Sequence, residues 1–146
     1  KTWLKEKFFV CLDRFTYSNI GYQGAKMNTE DDVRRLREWI LKLEFEHFGI
    51  PRPDINIFLD VPFRFTEEKL RNKRHGEDRT YLLGNSDIHE SSLEFQRKVR
   101  DIYLQVSADD EKLQVISCSD EDNRMPAPEN IFGMILDKLK ERNILR

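Results

Sequence analysis

Three short apolar runs alternate along the chain with segments whose apolar residues recur at helical spacing. The first run, "KFFVCLD" (residues 7–13), closes on an acid. Continuous apolarity of this length predicts a strand buried on both faces, as in parallel sheets. A helix follows. Thr29 and Asp32 form a variant capping box, and Val33, Leu36, Ile40 and Leu43 recur every three or four positions, with Trp39 beside them. Gly49 ends this helix as a left-handed cap, and Pro51 bars its continuation. The second run, "DINIFLDVP" (residues 54–62), closes on another acid, Asp60.

A basic segment, "EEKLRNKRHGEDR" (residues 67–79), shows no consistent apolar face, and a solvated helix and loop explains it as well as a site does. Helical periodicity returns in "SSLEFQRKVRDIYLQV" through Leu93, Val99, Ile102, Tyr103 and Val106, with Ser91 and Glu94 as its capping box. "KLQVIS" (residues 112–117) predicts a third strand. A loop, "CSDEDNRMPAP", leads from it into a last helix carrying Ile131, Ile135 and Leu139, whose first turn suits Pro128. Strands separated by helices imply crossovers, hence an α/β fold with a parallel sheet and helices on both faces. The order reads as one domain in four stretches: residues 1–28, 29–62, 63–90 and 91–146.

Composition narrows the partners. At 146 residues the chain has the size of a single domain. Its 25 basic and 27 acidic residues leave a net charge of −2, so no global field favours a nucleic-acid backbone or an anionic membrane. Any bound anion must be held by local arginines. No apolar stretch approaches the roughly 20 residues of a membrane span. Cys11 and Cys118 each sit in an apolar run, which predicts buried free thiols in a reducing cytoplasm. Sequence leaves a disulfide between them open.

The candidate chemistry lies after the first run. In open α/β sheets ligands bind beyond the carboxyl ends of strands, where Asp13 and Arg14 stand. If residues 17–26 form one or two helical turns, Ser18 and Tyr22 are four apart, as are Asn19 and Gln23, and the four side chains share a face. Amides for a base edge, an aromatic wall for a sugar and a guanidinium for a phosphate are what a pyrimidine nucleotide needs. A surface ion pair at Asp13-Arg14 and an ordinary core aromatic at Tyr22 explain the same spacing, so both readings stay open.

The order Asp13, Arg14, Phe15, Ser18, Asn19, Tyr22, Gln23, Gly24 after a buried run resembles the thymidylate kinases. "IPRPDINIFLDVP" is similar to that family's proline-aspartate strand, "EKLRNKR" to its lid and "DIHESSLEFQRKVRDIYL" to the helix after the lid. The resemblance implies a nucleoside monophosphate kinase fold of the phosphate-loop type and transfer of the ATP γ-phosphoryl group to thymidine monophosphate (dTMP). It implies that Arg14 holds the acceptor phosphate and that Asp13 organises that phosphate and the water shell of Mg2+, with no direct metal ligand. Ser18 and Asn19 would face the thymine edge with Gln23 nearby, and Tyr22 would close against the deoxyribose. Arg71 and Arg74, joined by Lys73 and Arg79, would fold over the phosphates. The family often carries arginine after the acid of the lid's far side, whereas Asp87 here precedes Ile88. The resemblance also implies a cytoplasmic enzyme and leaves room for a homodimer.

One expected part is absent from these residues. Phosphate-loop kinases need G-x-x-x-x-G-K-[ST] to cradle the donor phosphates. None of Gly21, Gly24, Gly49, Gly76, Gly84 and Gly133 is followed by lysine. The expectation is therefore an incomplete fold that lacks the family's first two strands and phosphate loop. It would hold the dTMP site and lid of a longer thymidylate kinase and be inactive alone. The alternatives are a non-catalytic nucleotide-binding or interaction module, including one completed by a separate polypeptide, and a related deoxynucleotide or deoxynucleoside kinase. With a strand missing between them, "KFFVCLD" and "INIFLDV" must either pair directly or leave backbone groups unpaired, at roughly 1–3 kcal/mol per buried orphan.

Overall fold

The computed structural model describes residues 2–6, 8–71 and 93–145. A short helix, α1 (Thr2–Lys5), precedes the first apolar run. Then come α2 (Thr16–Gly24), α3 (Glu30–Leu41) and a π-helical continuation of α3, Lys42–His47. Strand β1 (Asn56–Asp60), α4 (Phe63–Arg71), α5 (Leu93–Asp109), β2 (Leu113–Ser117) and α6 (Pro128–Glu141) complete the order.

Strands β1 and β2 pair in parallel, from Asn56 opposite Leu113 to Asp60 opposite Ser117. Side chains alternate between the two faces of a strand, and two apolar clusters result. On one face, Tyr17 and Ile20 of α2, Ile40 of α3, Val106 of α5 and Leu113 of β2 are buried together, with Phe58, Ile102 and Tyr103 against them. On the other, Ile116, Cys118 and Ile131 of α6 pack with Ile57, Val61 and Ile135. Helices thus cover both faces of a parallel pair, which is an α/β arrangement.

Several predicted boundaries hold for local reasons. The Thr29 hydroxyl accepts the Asp32 N–H at 3.1 Å, capping α3. The same hydroxyl donates to Asp32 Oδ2 at 2.7 Å, and this bond, followed by Arg35, keeps the Asp32 carboxyl below its ordinary range. Gly49 has φ 58°, the left-handed conformation that glycine adopts without steric cost. Pro128 occupies the first turn of α6. The second and third runs are strands, although β1 is half-buried rather than fully enclosed.

The first run corrects its prediction. Among the described residues, Phe8–Leu12 form no strand and pair with none; Phe8, Phe9 and Leu12 are 60, 61 and 57 % exposed. Among the described residues, β1 has β2 on one edge and no strand on the other. An extended segment needs a neighbouring ladder to satisfy its N–H and C=O groups in a core, and without one it stays in water. Cys11 is accordingly exposed instead of buried, while Cys118 is buried as expected and neither forms a disulfide. Burial, then the charge of Asp60, pushes the Cys118 thiol up.

Helix α2 is held tightly between neighbours. A Cβ at Gly21 would lie 2.6 Å from Tyr103 Cε2, so only glycine lets α5 approach this closely. The Tyr17 hydroxyl donates to Asp110 at 2.5 Å, tying α2 to the turn before β2. Burial foremost, and that carboxylate second, push the Tyr17 hydroxyl well above the ordinary tyrosine range.

Candidate functional site

A cleft of about 230 Å³ opens where the carboxyl end of β1 meets α2, α4 and α5. Its wall takes Arg14, Ser18 and Tyr22 from the α2 segment, Asp60 from β1, and Gln96, Arg100 and Tyr103 from α5. Ser18 and Tyr22 lie one turn apart on α2, which brings both to the same wall. Arg14 has φ 64°, an uncommon backbone for a residue with a Cβ. Its guanidinium donates from Nη2 to the Tyr22 hydroxyl at 3.1 Å, with Cζ 5.1 Å from the Tyr22 ring centroid.

The far wall rests on aromatic and ionic contacts. Tyr103 stacks on Phe58, with centroids 4.3 Å apart and planes 1° from parallel, and its hydroxyl donates to Ser18 Oγ at 3.3 Å. Burial is the main reason the Tyr103 hydroxyl is held above its usual range. Phe95 meets Tyr22 edge-on at 6.0 Å. Arg100 donates to both carboxylate oxygens of Asp60, Nε to Oδ1 at 2.5 Å and Nη2 to Oδ2 at 2.8 Å. This pairing raises the already high guanidinium pKa and puts a second arginine on the cleft beside Arg14.

The predicted site residues divide. Arg14, Ser18 and Tyr22 share the cleft, whereas Asn19 and Gln23 do not line it. Asn19 Nδ2 donates to Glu44 Oε1 at 3.0 Å, and Gln23 Oε1 accepts Lys26 Nζ at 3.2 Å. The four side chains therefore do not present one face to one hollow. Asp13 sits on the exposed turn before Arg14 and is not part of the cleft wall. Arg71 ends α4; its side chain, with Lys73, Arg74, Arg79 and Asp87, lies outside the described residues.

Sequence reading did not place Gln96, Arg100 and Tyr103 at the cleft, although their spacing of four and three puts them along one stripe of α5. Among the described residues no three His, Cys, Asp or Glu side chains gather as metal ligands. No glycine-lysine phosphate cradle stands in the sequence. These residues therefore lack that cradle for ATP phosphates. No described helix is long and apolar enough to cross a membrane.

Comparison with known proteins supplies the family. A "Thymidylate kinase" family model matches residues 1–125. The chain is similar to the thymidylate kinase of Tropheryma whipplei (strain Twist), 33% identical over 112 residues, covering 75% of this chain and 47% of that protein. It is also similar to the probable thymidylate kinase of Pyrococcus abyssi (strain GE5 / Orsay), 31% identical over 113 residues, 77% of this chain and 45% of the relative. A third relative, the thymidylate kinase of Mycobacterium tuberculosis (strain ATCC 25618 / H37Rv), is 27% identical over 100 residues, 68% of this chain and 44% of its own length. The chain thus spans about half the length of the curated relatives it matches. No solved structure matches it. A match reaching across the Asp13–Gly24 motif and both strands means that the chain belongs to the thymidylate kinase family.

Proposed function

We propose that these residues carry the acceptor side of a thymidylate kinase, the part that binds dTMP and presents its 5′-phosphate to ATP. One observation carries the reading: Arg14, Ser18 and Tyr22 of the family-like motif line a single cleft at the carboxyl end of a parallel strand. Arg14 offers a guanidinium to the phosphate, in line with the preference of arginine for such planar, multiply bonded anions. Tyr22 backs the sugar, and Ser18, already bonded to Tyr103, offers its hydroxyl to the base. Asp13, Arg71 and Arg74 belong to the transfer step, with Lys73, Arg79 and Asp87 in the lid. Cationic donors there would offset charge on the moving phosphoryl group, from which phosphoryl transfer draws much of its rate. Asn19 and Gln23 would take part only after turning from Glu44 and Lys26.

On this reading the 146 residues are a partial fold whose donor half, ATP and Mg2+ included, must come from elsewhere. The cleft supports this, being smaller than the roughly 300–1,000 Å³ of most small-molecule sites. So does the edge of β1 that carries no strand among the described residues. The compartment would be cytoplasmic, and dimerisation would await the complete protein.

Calorimetric titration of the 146-residue chain tests the proposal. dTMP should bind without ATP, Arg14→Ala should abolish that binding, and a mixture of ATP and dTMP should give no turnover. Absent dTMP binding, or binding that survives Arg14→Ala, would overturn the acceptor-site reading. Turnover in a pure sample would overturn the partial-fold reading. A second reading, a binding or interaction module without catalysis, is favoured by the exposed apolar residues Phe8, Phe9 and Leu12, and predicts dTMP affinity or a stable heteromeric partner, with no ATP dependence.

A further inference from the structure

The π-helical segment Lys42–His47 brings an acid onto the first turn of α2. Glu44 accepts the Thr16 hydroxyl on Oε2 at 2.5 Å and the Asn19 amide on Oε1 at 3.0 Å. Thr16 is only 1 % exposed, so its hydroxyl has little access to water, and losing its acceptor would leave a buried polar group unmatched. A carboxylate can only accept, which fixes the Asn19 amide with its nitrogen toward Glu44. The next residue, Phe45, meets Phe15 with ring centroids 6.4 Å apart. Two consecutive side chains of one π turn therefore hold the residues immediately after Arg14. Such turns recur at functional sites because they aim side chains that a regular helix would not.

Helix α2 needs that support. Its N-cap is Phe15, whose side chain makes no capping bond. Its entering residue, Arg14, is left-handed, a conformation that persists only where the surroundings impose it. A negative charge beside a helix N-terminus is also favourable.

We infer that Glu44 is a positioning residue: by holding Thr16 and Asn19 it fixes the start of α2, and so the left-handed Arg14 that carries its guanidinium onto Tyr22 at the cleft wall. The ligand-binding consequence rests on the acceptor-site reading above; the structural one does not.

Glu44→Gln in the 146-residue chain keeps the shape and removes one acceptor oxygen. Two readouts separate positioning from general stability. By NMR, the Arg14 side-chain protons should lose the ring-current shift that Tyr22 gives them. By titration, dTMP affinity should fall about tenfold, the scale of one charge-assisted bond, while affinity for thymidine, which lacks the phosphate, does not fall. Thr16→Val, which deletes the hydroxyl and keeps the volume, should repeat both effects, and Thr16→Ser should restore them. A ring-current shift retained in Glu44→Gln and Thr16→Val would overturn the inference. So would equal losses for dTMP and thymidine, or failure of both variants to fold. A lost shift in a chain that never binds dTMP would overturn the acceptor-site reading and leave the role of Glu44 standing.

Discussion

Two apolar runs of similar length, each closing on an acid, meet different ends in this molecule. "INIFLD" becomes β1, packs Phe58 and Ile57 into separate clusters, and delivers Asp60 to Arg100 at the cleft. "FFVCLD" forms no strand among the described residues and leaves Phe8, Phe9 and Leu12 in water. The difference does not lie in apolarity. β1 has β2 alongside, with five residue pairs in register, whereas the first run has no strand beside it among the described residues. A strand is a property of a pair, and burial follows from pairing as much as it drives it.

The largest test of this contrast compares core and ribbon truncations. Ile20→Ala removes a side chain that is 1 % exposed within the α2 cluster and should cost about 2–5 kcal/mol in urea unfolding. Phe8→Ala, at a residue 60 % exposed, should stay within about 0.5 kcal/mol. Comparable losses would mean that the first run is packed after all.

The two cysteines sharpen the same contrast. Cys11 lies in the unpaired run and Cys118 directly after β2, with its backbone N–H donating to Asp60 at 2.9 Å. Iodoacetamide near pH 8, followed by mass spectrometry, should modify Cys11 about 100-fold faster or more, since Cys118 reacts only after local opening. Its thiol is pushed up by burial, so it also remains protonated at a pH where an ordinary thiol begins to ionise. Equal labelling would erase the distinction. Protection of Cys11 on adding a candidate partner would identify what covers the run.

A smaller effect probes the tightness of the supported region. Gly21→Ala would force a Cβ to within 2.6 Å of Tyr103, an overpacking expected to cost about 1–3 kcal/mol. Gly133→Ala in α6 meets nothing within 4 Å and should stabilise the fold by about 0.5–1 kcal/mol. Thermal unfolding of the pair checks both signs.

Much of the fold was legible where the signal is local. Thr29 and Asp32 announced a cap, Gly49 a left-handed stop, and Val33, Leu36 and Ile40 a buried stripe, because each depends on residues a few positions away. The fate of "KFFVCLD" was not, since it turns on a partner strand far along the chain or beyond it. The site divided in the same manner. Ser18 and Tyr22 reach the cleft as their helical spacing predicts, beside Arg14, which was placed from its position after the first apolar run. Asn19 was misplaced because Glu44, 25 residues on, takes its amide. Arg100 was missed because nothing near it in sequence points to Asp60, 40 residues away.

The backbone of Arg14 has a consequence for engineering. Glycine would adopt φ 64° freely, and asparagine more readily than arginine. A selection for heat resistance alone would therefore drift toward those residues at position 14. The winners of such a selection would be sturdier proteins with no guanidinium at the cleft. Arginine there sacrifices some robustness to keep a cation in place, so variants chosen only for endurance would have to be screened again for what they hold.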